Sequence, residues 1–270
     1  MSQTNKKNQP MTIRVGRGTL SFCVNNGDGN TDFLPYVVKS GVSMAANLRE
    51  AFKTSDFLMQ LPERATIMVD GDVLLVPISL FDDSQAVELF AHAFPGREHE
   101  FVFHEVVADL KVVAVSSVNK DLRTVIEDHF QDVTFCVAML PVWRYLQRRA
   151  FSGKGQKLFG YVHERRLDLF SFQQNRFSFF NSFDIRHTFD ACYFLLYVWN
   201  QLHLQATKDE LVLVGDLFQN DTPTNVEERE RVLAQLHRFL QHIHVIDPSE
   251  HFGTQPKGMP YDLQTLFFKK

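Results

Sequence analysis

"KLFGYVHERRLDLFSF", Lys157 to Phe172, carries apolar residues on both sides of the charged tetrad His163-Glu164-Arg165-Arg166. Short apolar runs around a polar turn predict two antiparallel strands. "RFSFFNSF", from Arg176, adds a third strand, and the chain from about Thr188 to Leu204 reads as a helix followed by the strand "LVLVGDL". Thr224 with Glu227 has capping-box spacing and opens a helix striped by Val232, Leu233, Leu236, Phe239, Leu240 and Ile243. "HVID" then supplies a last strand.

The first half follows the same plan. "MTIRV" and "TLSFCVN" flank "GRG", the loop "NNGDGNTD" follows, and "FLPYVVK" is a third strand. Ser43 caps a helix with Met44, Leu48, Phe52, Ser55 and Met59 on one face. "ATIMV" and "VLLVPI" are strands joined through "DGD", and Asp82 to Phe94 reads as a helix ended by "PG". "EFVFHEVVADL" and "KVVAVSS" are further strands, Asn119 caps a helix, "VTFCVAML" is a strand, and Pro141 to Arg149 is a short helix with proline at its start. "FSGKGQK" is the clearest break. The expected division is therefore a polar lead at 1–10, one domain at 11–150 and another at 151–270. Three antiparallel strands followed by alternating helix and strand form a ribonuclease H-like unit, here duplicated in an α/β chain with mixed sheets.

Composition narrows the function. Of 270 residues 44% are hydrophobic and 22% charged, which is globular material, and a formal charge of −4 gives no general attraction to nucleic acid. The three cysteines, Cys23, Cys136 and Cys192, sit in apolar runs and read as buried thiols of a reducing cytosol. The polar start lacks the apolar core of a signal peptide, and no stretch of about 18 apolar residues suits a membrane span, so the expected location is cytoplasmic. The 26 phenylalanines, many in strand-like alternation, imply a thick aromatic core.

Two such units in tandem look like the actin-like ATPase architecture. "VLLVPISLFDD", Val73 to Asp83, and "FFNSFDIRHTFDACYFLLYVWNQLHLQ", Phe179 to Gln205, resemble recurring segments of an uncharacterised Bacteroidetes family, a domain of unknown function with an actin-like fold. The resemblance runs from about Met11 to the C-terminus. "KVVAVSSVNKDLRTVIEDHF" with "VTFCVAML" is similar in pattern to the pilus-assembly and secretion branch of the actin-like proteins, which are chiefly cytoplasmic scaffolds.

This likeness implies a nucleotide between two phosphate hairpins. Each carries an acid for Mg²⁺, with glycine and a serine or threonine at the turn, because glycine lets backbone N–H groups approach a phosphate and carboxylates suit a hard cation. In "LSFCVNNGDGN" the strand has no acid and Asp28 lies in the loop beyond, while in the second hairpin bulky His163 to Arg166 stand where glycine belongs. The adenosine segment usually has paired glycines after a strand, and here offers Gly215 followed by Asp216. Asp28, Arg165, Arg166, Gly215 and Asp216 are thus the cofactor-binding candidates. For the arginines the competing reading is a solvated turn, and for Gly215 and Asp216 the end of a strand.

Other signals lead elsewhere. His99 and His104 are five apart in a strand-like run, which is not metalloprotease spacing, and His237, His242 and His244 lack a second ligand pair. The "GKG" of the break lacks P-loop spacing, and a two-metal nuclease needs more strand carboxylates than Glu164. The helix "TFDACYFLLYVWNQLHL" is apolar nearly all round, so it is either buried or covered by a partner. The expectation is a non-catalytic actin-like pseudo-ATPase that scaffolds another protein, with no cofactor and with a homodimer left open. The alternative is a divergent ATPase or sugar-kinase-like phosphotransferase using ATP and Mg²⁺.

Overall fold

The computed structural model describes residues 10–25, 31–58, 62–151, 155–216, 223–252 and 255–267. The polar lead and the loop bearing Asp28 lie outside the described residues, as do Met59 and the side chain of Thr224. The strands are β1 (Met11–Val15), β2 (Leu20–Asn25), β3 (Thr31–Tyr36), β4 (Arg64–Val69), β5 (Val73–Pro77), β6 (Phe101–Val107), β7 (Val112–Val118), β8 (Asp132–Val137), β9 (Lys157–His163), β10 (Arg166–Gln173), β11 (Arg176–Asp184), β12 (Glu210–Gly215) and β13 (Ile243–Val245). The helices are α1 (Met44–Thr54), α2 (Ala86–Ala93), α3 (Lys120–Glu127), α4 (Met139–Ala150), α5 (Thr188–Gln201), α6 (Pro223–His237), α7 (Pro248–Phe252) and α8 (Tyr261–Phe267).

Two five-stranded sheets repeat one order. The first is β3-β2-β1-β4-β8 and the second β11-β10-β9-β12-β13. In each, the opening strands pair antiparallel, and the first of them then runs parallel to the strand that follows the helix. This is the duplicated plan of the sequence, with mixed sheets. The third sheet, β5-β7-β6, has no counterpart among the described residues of the second half; Phe90 of α2 is buried on it with Val113 and Val115.

Contacts divide the chain inside α4. One compact unit ends at Leu140 and regains the chain from Pro256, while the other spans Pro141–Gln255. The sequence break at "FSGKGQK" lies downstream of that point, and the C-terminal segment packs with the first unit: Met259 and Leu263 join Cys23, Met68 and Ala138 in one buried cluster. In the second unit Ala191, Leu195, Val198 and Trp199 of α5 pack on Leu158, Leu167, Leu169 and Leu213, together with Val232 and Leu236 of α6. Sixteen fully or nearly buried residues make that core, enough to account for the long apolar runs of β9, β10 and β12.

Caps fix the helix starts as read. Ser43 Oγ accepts the Ala46 N–H, and Asn119 Oδ1 accepts those of Asp121 and Leu122. The expected helix 82–94 begins as a 3₁₀ turn at Asp83–Gln85 before α2, and α4 starts at Met139, two residues ahead of Pro141. No helix among the described residues is long and apolar enough to cross a membrane.

Candidate functional site

The hairpin β9–β10 closes in two residues. His163 pairs with Arg166, so only Glu164 and Arg165 form the turn, and both have left-handed backbone, at φ 41° and 62°. That is the primed turn that matches strand twist, and it is normally built with Asn or Gly. Two non-glycine residues here cost roughly 1–2 kcal/mol each relative to glycine. His163 and Arg166, read from sequence as turn residues, are instead the buried ends of the strands.

A polar cluster fixes those ends. His163 Nε2 lies 2.6 Å from Asp168 Oδ2, Arg166 Nε donates to Asp168 Oδ1 at 3.2 Å, and the Ser182 hydroxyl donates to the same carboxylate. Tyr161 stacks on His163 with ring centres 4.3 Å apart. Burial works to raise the Asp168 pKa, but Arg166, His163 and Ser182 together outweigh it and hold the carboxyl below its ordinary value. Asp168 was not singled out in the sequence because it sits in an apolar strand; register is what brings it beside Tyr161 and Ser182.

The candidate residues therefore separate. The Arg166 guanidinium is buried on Asp168, whereas Arg165 is exposed and donates to the Arg186 carbonyl at 3.5 Å, so the two do not form one anion-binding pair. Gly215 and Asp216 do come to the turn. The Glu164 N–H donates to Asp216 Oδ2 at 3.3 Å, so a carboxylate already sits on a backbone donor of this turn. Gly215 has φ +113°, and a Cβ there would lie 2.0 Å from the Val162 carbonyl oxygen, so glycine is required by the neighbouring strand.

The repeated sheet order also identifies the matching hairpin in the first unit. Since β9 corresponds to β1 and β10 to β2, the counterpart of Glu164-Arg165 is the β1–β2 turn, Gly16 to Thr19, where the Gly16 N–H donates to the Thr19 carbonyl at 2.9 Å. Asp28, the candidate suggested by sequence, belongs to the loop after β2 and lies outside the described residues. The β1–β2 turn does hold glycines and a threonine. Beside it, Asp70 follows β4 as Asp216 follows β12, so an acid stands at equivalent points in both units.

In the first unit that acid meets a buried arginine. Arg14 Nε donates to both oxygens of Asp262 on α8, at 2.9 and 2.8 Å, while Nη2 reaches Asp70 Oδ2 at 3.2 Å and Nη1 the Thr19 hydroxyl at 3.1 Å. Arg14 and Asp262 are each 1% exposed. The network ties the turn to a C-terminal helix that the sequence reading left unassigned, although the apolar spacing of "YDLQTLFF" carries its signal.

Burial raises the thiol pKa of all three cysteines, that of Cys136 to about 12 and that of Cys192 to about 11, so none is primed as a nucleophile. Among the described residues no group of three or more His, Cys, Asp or Glu is placed to hold a metal ion.

The chain is similar over its length to a solved structure from Bacteroides thetaiotaomicron VPI-5482, a protein with actin-like ATPase fold and unknown function. Identity is 27%, coverage is 99% of this chain and 98% of the other, and the TM-score is 0.84. It is similar in fold to a PilM–PilN type IV pilus biogenesis complex, at 11% identity, 96% and 94% coverage and a TM-score of 0.55. No curated protein matches the sequence. The two-unit plan is thus an actin-like ATPase fold, and a family described as "Protein of unknown function (DUF3822)" matches residues 1–243. The chain belongs to the DUF3822 family.

Proposed function

We propose that this protein is a non-catalytic actin-like scaffold that binds another protein in the cytoplasm and takes no nucleotide. The observation that carries the proposal is the Asp216 carboxylate on the Glu164 N–H. A phosphate brought to that turn would meet a negative charge already using the donor, and the β-carbons of Glu164 and Arg165 narrow the approach. In the first unit the buried cation beneath the equivalent turn, Arg14, is committed to Asp262 and Asp70. A type IV pilus biogenesis complex of similar fold gives the scaffold reading its precedent in kind.

One feature favours the alternative, a divergent ATPase or phosphotransferase. Gly16, Gly18 and Thr19 supply the residue types of a phosphate turn, with Asp70 beside them. Calorimetric titration of the protein with ATP and with ADP, each with Mg²⁺ and at several temperatures, separates the two. The scaffold reading expects no saturable heat. Micromolar binding that Asp70→Ala abolishes, with Mg²⁺-dependent turnover, would establish the alternative.

A further inference from the structure

The two faces of the first sheet are covered by different parts of the chain. The face that carries Phe22 lies under α1, where Phe22 meets Phe52 with ring centres 6.2 Å apart. Pairing sets Cys23 beside Phe33, and Arg14 beside Met68 and so in line with Cys136, and by alternation these residues share the other face. The segment Pro256–Phe267 covers it. Met259 and Leu263 are buried with Cys23 and Met68, Phe33, Cys136 and Phe267 pack against them, and Asp262 takes Arg14. Its contacts thus reach every strand of that sheet, although the whole second unit separates it in sequence from β8.

The segment meets this face as a ligand does, with side chains. Its turns close on themselves: the Met259 N–H donates to the Pro256 carbonyl at 3.2 Å and the Gln264 N–H to the Pro260 carbonyl at 3.0 Å. The Gln264 amide and the Thr265 hydroxyl donate to the Met259 and Asp262 carbonyls, at 2.6 and 2.8 Å. A short helix that satisfies its own backbone and lays side chains into an apolar groove is a recurring mode of peptide recognition. Charge makes the fit selective. Arg14 gives its Nε to both oxygens of Asp262 out of reach of water, so a neutral residue at that point would leave a buried guanidinium short of its main acceptor.

We propose that this face of the first unit is a peptide-binding groove, selective for a short helix with an acid followed by leucine, and that its resident ligand is the chain's own segment 256–267. The resident is held by its tether to the second unit and exchanges with a free copy of the same segment. Release uncovers an apolar face with one cation at its centre, so the segment acts as a latch on the first unit. A tether works through effective concentration, about millimolar for a short linker. A free copy therefore competes poorly with an intact resident and well with a damaged one. The proposal stands apart from the scaffold reading, since nucleotide binding would overturn that reading and leave this one intact.

The test is fluorescence anisotropy of a labelled peptide, "PKGMPYDLQTLF", amidated at its C-terminus and titrated with the full chain and with two full-chain variants. Asp262→Ala removes the charged anchor of the resident segment and Leu263→Ala part of its packing, and each weakens the resident about a hundredfold or more. The peptide should therefore half-saturate either variant at micromolar concentration, about a hundredfold below the wild-type chain. A peptide carrying Asp262→Asn should bind the Leu263→Ala chain about tenfold more weakly, because it brings Arg14 no charge. Where a variant loses order in the first unit, the native peptide should restore the hydrogen-exchange protection of β1. Neither binding nor restored protection in both variants up to roughly 500 μM, or equal binding of the two peptides, would overturn the proposal.

Discussion

Replacing Gly215 by alanine tests whether this glycine serves a ligand or the sheet. Its backbone sits at φ +113°, and a built Cβ meets the Val162 carbonyl oxygen at 2.0 Å, Tyr161 Cδ2 at 2.8 Å and the Val162 carbonyl carbon at 2.9 Å. Two of those atoms are backbone of β9, which is hydrogen-bonded on both sides, so relief requires β9 and β12 to part by more than an ångström at the end of their parallel ladder. Backbone strain of about 1–2 kcal/mol and overpacking of about 1–3 kcal/mol together give a loss of roughly 3 kcal/mol or more. That is a large share of the roughly 5–15 kcal/mol that holds a domain, and lowers its melting point by roughly 10 °C. The chain has two tryptophans, Trp143 and Trp199, and both are buried in the second unit, so their fluorescence in a urea titration reports on that unit. Gly160→Ala is the control. Its Cβ would meet only the flexible ends of Leu213, Leu195 and Leu169 at 3.0 to 3.4 Å, and it should cost about 1 kcal/mol. A Gly215→Ala loss under about 1 kcal/mol, no larger than the control, would refute the steric argument and return Gly215 to the ligand candidates.

Two further outcomes follow from the buried charges. Asp262→Ala removes from the buried Arg14 the carboxylate that takes its Nε, and breaking such a pair costs about 3–5 kcal/mol; faster hydrogen exchange in α8 and β1 should reveal it, and protection equal to wild type would contradict it. Asp168 is held below its ordinary pKa in the folded chain, so the unfolded chain binds its proton first. The stability it contributes is complete above the unfolded value of about 3.9 and is lost as pH falls through the folded value. The tryptophan transition should therefore weaken with acid below about pH 4, and Asp168→Asn should flatten that limb; the same acid slope in both proteins would remove Asp168 as its source.

How far the sequence could be read depended on whether the information was local. Ser43 and Asn119 announced helix starts because a cap is a contact between near neighbours, and the alternation around Glu164-Arg165 announced a hairpin for the same reason. The partners of Arg14 were out of reach. Asp70 and Asp262 lie 56 and 248 residues along the chain, and nothing in "MTIRV" tells a buried ion pair from an exposed arginine on a strand. In the first half a glycine-rich loop, "NNGDG", is a stronger local signal than "GRGT", so sequence alone points to Asp28 rather than to the β1–β2 turn. Only the sheet order, which equates β1 with β9, shows which turn corresponds to which.

That equivalence shows how the two halves diverged. After the same strand of the repeat each unit places an acid, Asp70 or Asp216, beside the first hairpin, and a carboxylate there has to be matched. In the first unit a cation matches it: Arg14 takes Asp70 on one side and Asp262 on the other, so the network also anchors α8. In the second, Tyr161 occupies the position on β9 that Arg14 holds on β1, counted from the paired residues Val15 with Val69 and Val162 with Gly215. With no arginine there, Asp216 turns to the backbone donor of Glu164, and the buried arginine of this hairpin, Arg166, lies instead on the next strand against Asp168. The two solutions put their arginines on different strands, Arg14 on β1 and Arg166 on β10, which is why the duplication is plain in topology and hidden in sequence. Exchanging one solution for the other, by Tyr161→Arg, would bury a guanidinium within reach of Asp168 and Asp216 but without a counterpart of Asp262, and the second unit should lose stability rather than gain a salt bridge.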